Sequence, residues 1–380
     1  MRLFHLSDLH IGLKLVNHDL REDQEAILSQ IVEMAAEEKP DTVLIAGDLY
    51  DRAVPSADAA EVFDHFISAL AAAVPEAEIM MISGNHDSAA RINVYRSILS
   101  HQRVHMIGMP PQTPDERIEQ VVLTDSFGRV HFYLMPFVRP SMVRGVIGTN
   151  EDGSQFSYDE TVRRLLAREE IDRSERNVLV SHQFYLPRGT DPEQIERMDS
   201  EIRTVGNIDA VYADVLEPFD YAALGHIHKP MKVGADRFRY CGTPLACSVS
   251  EAGQQKGVIE ADLGEKGNLS IRVLPLRPLH QVRVLEGCLE EVLARPSEDY
   301  VTVTLTDPAD LNVIDMQDRL RTAFPNLLEI RRKTLRGPLS AEAPAEAAEL
   351  DPMALCDAFL GGMDGPDRAL LTDVMNTVRT

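Results

Sequence analysis

The sequence predicts a layered α/β protein with a smaller unit following it, and three observations carry that expectation. Short apolar runs alternate with amphipathic helical stretches from residue 1 to about 275. Five of those runs end directly in a cluster of polar residues, and near Pro278 the rhythm changes to a shorter pattern. With 380 residues, the chain exceeds the roughly 250 to 300 that one core supports, so two or three units are expected.

The first element is the apolar run that opens "LFHLSDLHIG". In an extended chain, side chains two apart point the same way, so Asp8 and His10 can converge on one object. Next come an amphipathic stretch through Ala26 to Lys39, the run "TVLIAG", a helix after Ser56 and the run "EIMMIS". "RVHFYLMPF" follows. A capping box of Ser157 and Glu160 then marks a helix start ahead of "TVRRLLARE". "NVLVSH", "YAALGH", "RFRYCG" and "KGVIEADL" are further strand-like runs.

Beyond Pro278, "HQVRVLE", "YVTVTLTD", a helix around Met316 to Phe324 and "LLEIRRK" make a compact α+β module. Residues 337–350, "GPLSAEAPAEAAEL", read as a linker. Residues 351–380 read as two short amphipathic helices split by Gly-Gly and Gly-Pro, each needing a surface on which to bury its apolar face.

Composition narrows the class. The chain is 44% hydrophobic and 26% charged, the balance of a folded protein. A formal charge of −23 argues against wrapping nucleic acid in an overall positive field. Basic clusters at Arg139 to Arg144, Lys229 to Lys232, Arg237 to Arg239 and Arg331 to Arg336 each read as solvated surface. No apolar run reaches the length of a membrane span, and the N-terminus lacks the build of a signal peptide, so a cytoplasmic location is expected. Cys241, Cys247, Cys288 and Cys356 form no C-x-x-C pair and read as ordinary thiols of a reducing compartment.

The five clusters are Asp8/His10, Gly47-Asp48-Leu49-Tyr50-Asp51, Gly84-Asn85-His86-Asp87, Ser181-His182 and Gly225-His226-Ile227-His228. Strand C-termini are where α/β sheets hold ligands, so all five are expected to meet at one edge. Asp8, His10, Asp48, Asn85, His182, His226 and His228 offer imidazole, carboxylate and amide oxygen without thiolate, a set that suits Mn, Fe or Zn better than Ca. Seven donors give four ligands to each of two ions only if one donor bridges, and the Asp48 carboxylate is the natural bridge. Two ions roughly 3.5 to 4 Å apart clamp the attacking and leaving oxygens of a phosphoryl displacement. Singly, Asp8 could cap a turn and His182 could be a structural histidine; it is the recurrence at strand ends that points to a metal centre.

The ordered set D-x-H, G-D-x-x-D, G-N-H-D, a lone H and G-H-x-H resembles the calcineurin-like metallophosphoesterase superfamily over about the first 240 residues. Within it, "AGDLYDRAVPSADA", "SGNHDSAARI", "ALGHIHKP" and "YCGTPLACS" resemble the SbcD-type family of bacterial nuclease subunits, and "VTVTLTDP" with "LRTAFPNLLEIR" resembles that family's capping domain. The resemblance implies an α/β metallophosphoesterase sandwich over residues 1–278, a small α+β capping domain over 279–336, the linker at 337–350 and a helical ATPase-binding tail at 351–380. It implies a Mn-dependent DNA nuclease, a double-strand exonuclease and single-strand or hairpin endonuclease. Such a nuclease works in DNA end processing, repair and recombination with SbcC, a coiled-coil ATPase, as a homodimer within a heterotetramer.

Carried onto this sequence, the resemblance gives one Mn2+ to Asp8, His10, Asp48 and His228, and the second to Asp48, Asn85, His182 and His226, with Mg2+, Fe2+ or Zn2+ as possible substitutes. His86 would act beside the scissile phosphate with Asp51 orienting it, and Arg52 would bind phosphate or else form a surface ion pair. The rival reading is a phosphatase or phosphodiesterase acting on a small molecule or protein. The second module and the tail tilt against it, since a phosphatase needs neither.

Overall fold

A computed structural model describes residues 1–94, 96–190, 209–307 and 313–333. The expected linker and helical tail, and Cys356 with them, lie outside the described residues.

In chain order the first layer comprises β1 (Arg2–Leu6), the small hairpin β2 (Lys14–Leu15) and β3 (His18–Asp19), α1 (Arg21–Glu38), β4 (Thr42–Ala46), α2 (Ala57–Ala73), β5 (Glu78–Ile82), the single turns α3 (Ala89–Ile92) and α4 (Arg96–Leu99), and β6 (Val104–Ile107). The second comprises β7 (Glu119–Asp125), β8 (Gly128–Met135), α5 (Pro140–Ile147), α6 (Tyr158–Ala167), β9 (Arg176–His182), the short strands β10 (Phe184–Leu186) and β11 (Ala210–Tyr212), β12 (Tyr221–Gly225), β13 (Met231–Val233) and β14 (Ala235–Tyr240). The chain then returns to the first sheet with β15 (Gly257–Leu263) and β16 (Leu269–Pro275).

The central strands are parallel: β1, β4, β5 and β6 in the first sheet, and β8, β9, β12 and β14 in the second. Each six-stranded sheet is completed by antiparallel strands, β16 and β15 in the first, β13 and β7 in the second. Strands covered on both faces are apolar throughout, which is why "TVLIA" and "YAALG" are fully buried and read as continuous runs. One face of each sheet packs on the other through Leu3, Leu44, Met80 and Ile82 against Phe132, Val178, Val180 and Ala223. The outer face of the first sheet is covered by α1 and α2, which bury Ile27, Ile31, Val62, Phe66 and Leu70 at helical spacing. On the second sheet, α5 and α6 contribute Val143, Val162 and Leu165.

The five polar clusters meet as expected, but they follow strands of both sheets: β1, β4 and β5 belong to the first and β9 and β12 to the second. They meet because the two sheets are stacked with those strand ends on the same side.

Local differences have local causes. α1 begins at Arg21 rather than Ala26, because its first turn is charged and carries no apolar periodicity. Ser157 does accept from the Glu160 N–H at 3.1 Å, but the Glu160 carboxylate turns to Arg164 at 2.6 Å instead of closing a capping box. The basic clusters are largely matched: Lys232 and Arg239 pair with Asp236, Arg237 with Glu217 and Arg331 with Glu329.

After residues 276–281, which form neither helix nor strand, comes a separate sheet of β17 (Val282–Gly287), β18 (Tyr300–Leu305) and β19 (Leu327–Arg332). Its strands pair in parallel through α7 (Leu289–Leu293) and α8 (Val313–Ala323), with Leu285, Val292, Val303, Leu320 and Phe324 as its core. It meets the main body where the buried Asp23 of α1 accepts from the Tyr300 hydroxyl at 2.9 Å and from His280 at 3.1 Å.

Candidate metal centre

The pairing of β1 with β4 continues beyond both strands. The Asp8 N–H donates to the Gly47 carbonyl (3.0 Å), His10 to Asp48 (3.0 Å) and Ile11 to Leu49 (3.1 Å), so the two loops leave the sheet side by side. Their backbone is strained at the positions that matter. Asp8, His10 and Asp48 have φ of 53°, 42° and 50°, and His226 has 103°, conformations that cost side-chain-bearing residues on the order of 1–3 kcal/mol each. Gly47, at φ +88°, lies under the His182 ring, where an added Cβ would come within 2.3 Å of Nδ1.

All seven candidate ligands come together. The Nε2 atoms of His10 and His228 lie 3.1 Å apart, and Asp8, His10 and His228 offer ligand atoms all within 4.8 Å of one another. Asp48 Oδ2 stands 3.7 Å from His10 Nε2 and 3.2 Å from His182 Nε2, so it faces both halves of the cluster. On the far side, Asn85 Oδ1 is 3.0 Å from His182 Nε2 and 2.8 Å from His226 Nδ1. Asn85 is half-buried and the other six are buried, so the cluster is reached from the Asn85 and His86 side.

The donor set fits a cation. His182 Nδ1 is 2.7 Å from the Ala46 carbonyl, which can only accept, so Nδ1 carries the proton and Nε2 turns a lone pair toward Asp48, Asn85 and, at 3.9 Å, Asp8. Acceptors facing acceptors repel unless a positive charge sits among them. Asp8 Oδ2 is buried with no hydrogen-bond partner among the described residues. Burial pushes Asp8 above its ordinary pKa, whereas for Asp48 the neighbouring His182, His10 and His86 overcome burial and hold it well below. Burial by itself would lower His182, but Asp48 and Asp8 raise it to about 9, so in the absence of an ion a second proton on Nε2 would supply the positive charge that a bound cation would replace.

His86 lies at the rim. Its backbone N–H donates to Asp48 Oδ1 (2.8 Å) and its ring stands edge-on to His10 at 4.8 Å. The expected contact with the Asp51 carboxylate is not made: His86 Nδ1–H donates to the Asp51 backbone carbonyl at 3.0 Å. The reason is that residues 84–87 turn rather than run extended, placing the ring over the Asp51 main chain while the carboxylate faces His10 Nδ1 (4.0 Å) and Arg52 (3.4 Å). The Arg52 side chain is 78% exposed, the arrangement of a surface ion pair.

Several supporting residues had no assigned role in the sequence. Asp87 accepts from the N–H groups of Leu49, Tyr50 and Gly84 at 2.9–3.0 Å and ties the third cluster to the second; burial and the Asp48 charge push it up to about 6. Its place at the end of "GNHD" was the available signal. Phe137 stacks on His226 with ring centroids 6.3 Å apart. Behind His228 sit Glu251, Lys256 and Cys247, whose thiol belongs to the same close group as His228 and Glu251.

The family profile described as calcineurin-like phosphoesterase matches residues 1–230, the segment that supplies every donor named above. This chain belongs to the calcineurin-like phosphoesterase family. It is thus a metal-dependent phosphoesterase, and the His and Asp groups of the cluster are those able to hold the family's divalent ions. A second profile, SbcD_C, described as type 5 capsule protein repressor C-terminal domain, matches residues 275–362, and the pair of matches supports an SbcD-type nuclease subunit.

Similar solved structures include one described as GAP50, the anchor in the inner membrane complex of Plasmodium (11% identity, 89% of this chain and 99% of that one, TM-score 0.42). Others are TT1561 of Thermus thermophilus (13%, 72% and 98%, TM-score 0.39) and a dimetal phosphatase from Danio rerio (13%, 72% and 96%, TM-score 0.40). No helix among the described residues is long and apolar enough to cross a membrane.

Proposed function

We propose that the chain is a Mn2+-dependent DNA nuclease that cuts double-stranded ends and hairpins in company with an SbcC-type coiled-coil ATPase, in DNA end processing, repair and recombination. The observation that carries this reading is the sharing of Asp48 between two groups of donors, in a phosphoesterase chain that also matches SbcD_C. Asp8, His10, Asp48 and His228 would hold one ion, and Asp48, Asn85, His182 and His226 the other. The ions would supply the charge that aligns and polarises a phosphodiester and its attacking water.

The chain's own residues do the rest. Asp48 keeps the two halves in register, with Oδ1 fixed by the His86 N–H. His86, at the open rim, faces the side from which DNA approaches; with Nδ1–H committed to the Asp51 carbonyl, its Nε2 is the atom able to hand a proton to the leaving oxygen. Phe137 and the stacked sheets keep the floor dry. On this reading the boundary between nuclease and capping domains falls at 278/279, and residues 351–380 bind the ATPase.

The deciding experiment incubates the purified chain and Mn2+ with labelled linear duplex DNA, and in parallel with a generic phosphomonoester. Duplex cleavage without comparable monoester turnover is expected. The reverse would make the protein a phosphatase of the same family, and activity on neither would reduce it to a scaffold.

A further inference from the structure

Behind His228 lies a buried ion pair that the reaction itself does not use. Glu251 is 1% exposed and Lys256 7%. The Glu251 carboxylate accepts four hydrogen bonds: at Oε1 from His228 Nδ1 (3.3 Å) and the Ser248 hydroxyl (3.1 Å), and at Oε2 from Lys256 Nζ (2.6 Å) and the Thr243 hydroxyl (2.9 Å). That uses every lone-pair direction a carboxylate has. Lys256 also reaches the His228 backbone carbonyl at 3.1 Å and Thr243 Oγ1 at 2.7 Å, so one ammonium grips both the main chain of the histidine and the acid beneath its ring.

We propose that Glu251, held in place by Lys256, Thr243 and Ser248, is the positioning residue for His228. It fixes the proton on Nδ1 and aims Nε2 at the Asp8 and His10 side of the cluster, and so sets the affinity of the one ion bound there. The inference rests on the two-ion reading above.

A carboxylate cannot donate, so the contact forces the His228 tautomer that presents a bare Nε2 toward His10. His182 obtains the same tautomer from the Ala46 carbonyl, a neutral acceptor supplied by strand β4 itself. A buried charge pair lies beneath His228 and a neutral carbonyl beneath His182, so the two halves of the cluster are oriented by different means. The rival reading, that His228, Cys247 and Glu251 are themselves a cation site, meets the difficulty that His228 Nδ1 and Glu251 Oε1 already bond to each other while the Lys256 ammonium at Oε2 neutralises the carboxylate.

The test uses the full chain, stripped with a chelator and titrated calorimetrically with Mn2+. Single substitutions would strand a buried charge, so two double variants are compared. Glu251→Gln with Lys256→Met removes both charges but leaves an oxygen to accept from His228. Glu251→Leu with Lys256→Met removes the acceptor as well. Expected results are wild-type affinities within a few-fold for the Gln variant and a weakening of about 10- to 100-fold in one binding event, the other unchanged, for the Leu variant.

Thr243→Val, a milder change that loosens Glu251 without touching either charge, should weaken the same event by a few-fold. Melting temperatures of the chelated proteins are expected to agree between the two double variants. Equal weakening in both doubles would mean that charge, not the acceptor, matters, and would overturn the inference. So would a Leu variant that binds both ions like wild type. A wild-type chain that binds no Mn2+ would instead overturn the two-ion reading, and the inference with it.

Discussion

Gly84→Ala tests whether the cluster is built around a fixed Asp48. A Cβ at position 84 would sit 2.1 Å from Asp48 Oδ1, 2.4 Å from Asp48 N and 2.6 Å from Asp48 Cγ. Relief needs a shift of roughly one ångström, and neither partner is the loose end of a long side chain. Gly84 N–H is bound by Asp87, whose carboxylate also holds Leu49 and Tyr50, so the loop after β5 and the loop after β4 are tied together and cannot simply part. Overpacking of this kind costs about 1–3 kcal/mol. Because the displaced atom belongs to a residue that faces both halves, the larger effect falls on metal: both ions should be weakened by about 10- to 100-fold, the scale on which metal affinity responds when a ligand's orientation is disturbed.

Gly145→Ala is the control. It lies in α5 at ordinary φ with open space around it, and exchanging a helical glycine for alanine should add up to about 1 kcal/mol. Mn2+ content after equilibrium dialysis and melting temperature of the chelated proteins are the two measurements. A Gly84→Ala protein that keeps both ions and melts with wild type would show that Asp48 is not pinned as described.

Three further outcomes follow from the same geometry. Asp48→Asn should lose more Mn2+ per chain than His10→Ala, since the Asp48 carboxylate stands between His10 and His182 and would serve both ions where His10 would serve one; equal losses measured by elemental analysis would count against a bridge. His86→Ser should keep metal content and duplex affinity while lowering turnover by roughly two to four orders of magnitude. Asp51→Asn should leave turnover within a few-fold of wild type, because the ring bonds to the main chain at 51 and not to its side chain; loss of an ion in His86→Ser would make His86 a ligand. The third outcome concerns pH. His5 is buried, bonded to the Tyr221 hydroxyl and the Leu224 carbonyl, and burial lowers it from 6.5 to about 3. Unfolded, it binds a proton at 6.5; folded, only near 3. Its contribution is therefore whole above pH 6.5 and is lost as pH falls from there toward 3, by at most about 1.4 kcal/mol per pH unit. In chelated protein between pH 5 and 6.5, His5→Gln should melt with a shallower pH slope than wild type, and equal slopes would refute the assignment.

Much of the site was legible because its residues follow strands whose burial on both faces leaves an unbroken apolar run, as in β4, β9 and β12. A polar pair after such a run stands out. The edge strands β7 and β16 alternate half-buried and exposed residues, so polar side chains interrupt their apolar pattern, and neither was expected. Which sheet each strand joins is not a local property, so periodicity and spacing alone do not assign the strands to their sheets; the sandwich was legible only through the family resemblance. Asp51 was misread for a related reason: its spacing from Asp48 brings it near His86 but does not say whether carboxylate or carbonyl faces the ring.

Asp87 and Glu251, whose roles the sequence leaves unassigned, share one feature: each acts across a length of chain that carries no signal of its own. Asp87 serves amide groups 37 and 38 residues away, and Glu251 serves a histidine 23 residues away. These are also the groups the ligands depend on. Asp8, His10, Asp48 and His226 sit at backbone angles that would relax if nothing opposed them, and buried acceptors in the cluster face one another. The loops are held in that state by the ladder from Asp8 to Ile11 against Gly47 to Leu49, by Asp87 bridging two loops, and by the Glu251 network under His228. Ligand identity is therefore written in short motifs, because it is chemistry at strand ends, whereas ligand geometry is written in distant partners, because strain at one loop can be opposed only by contacts from another.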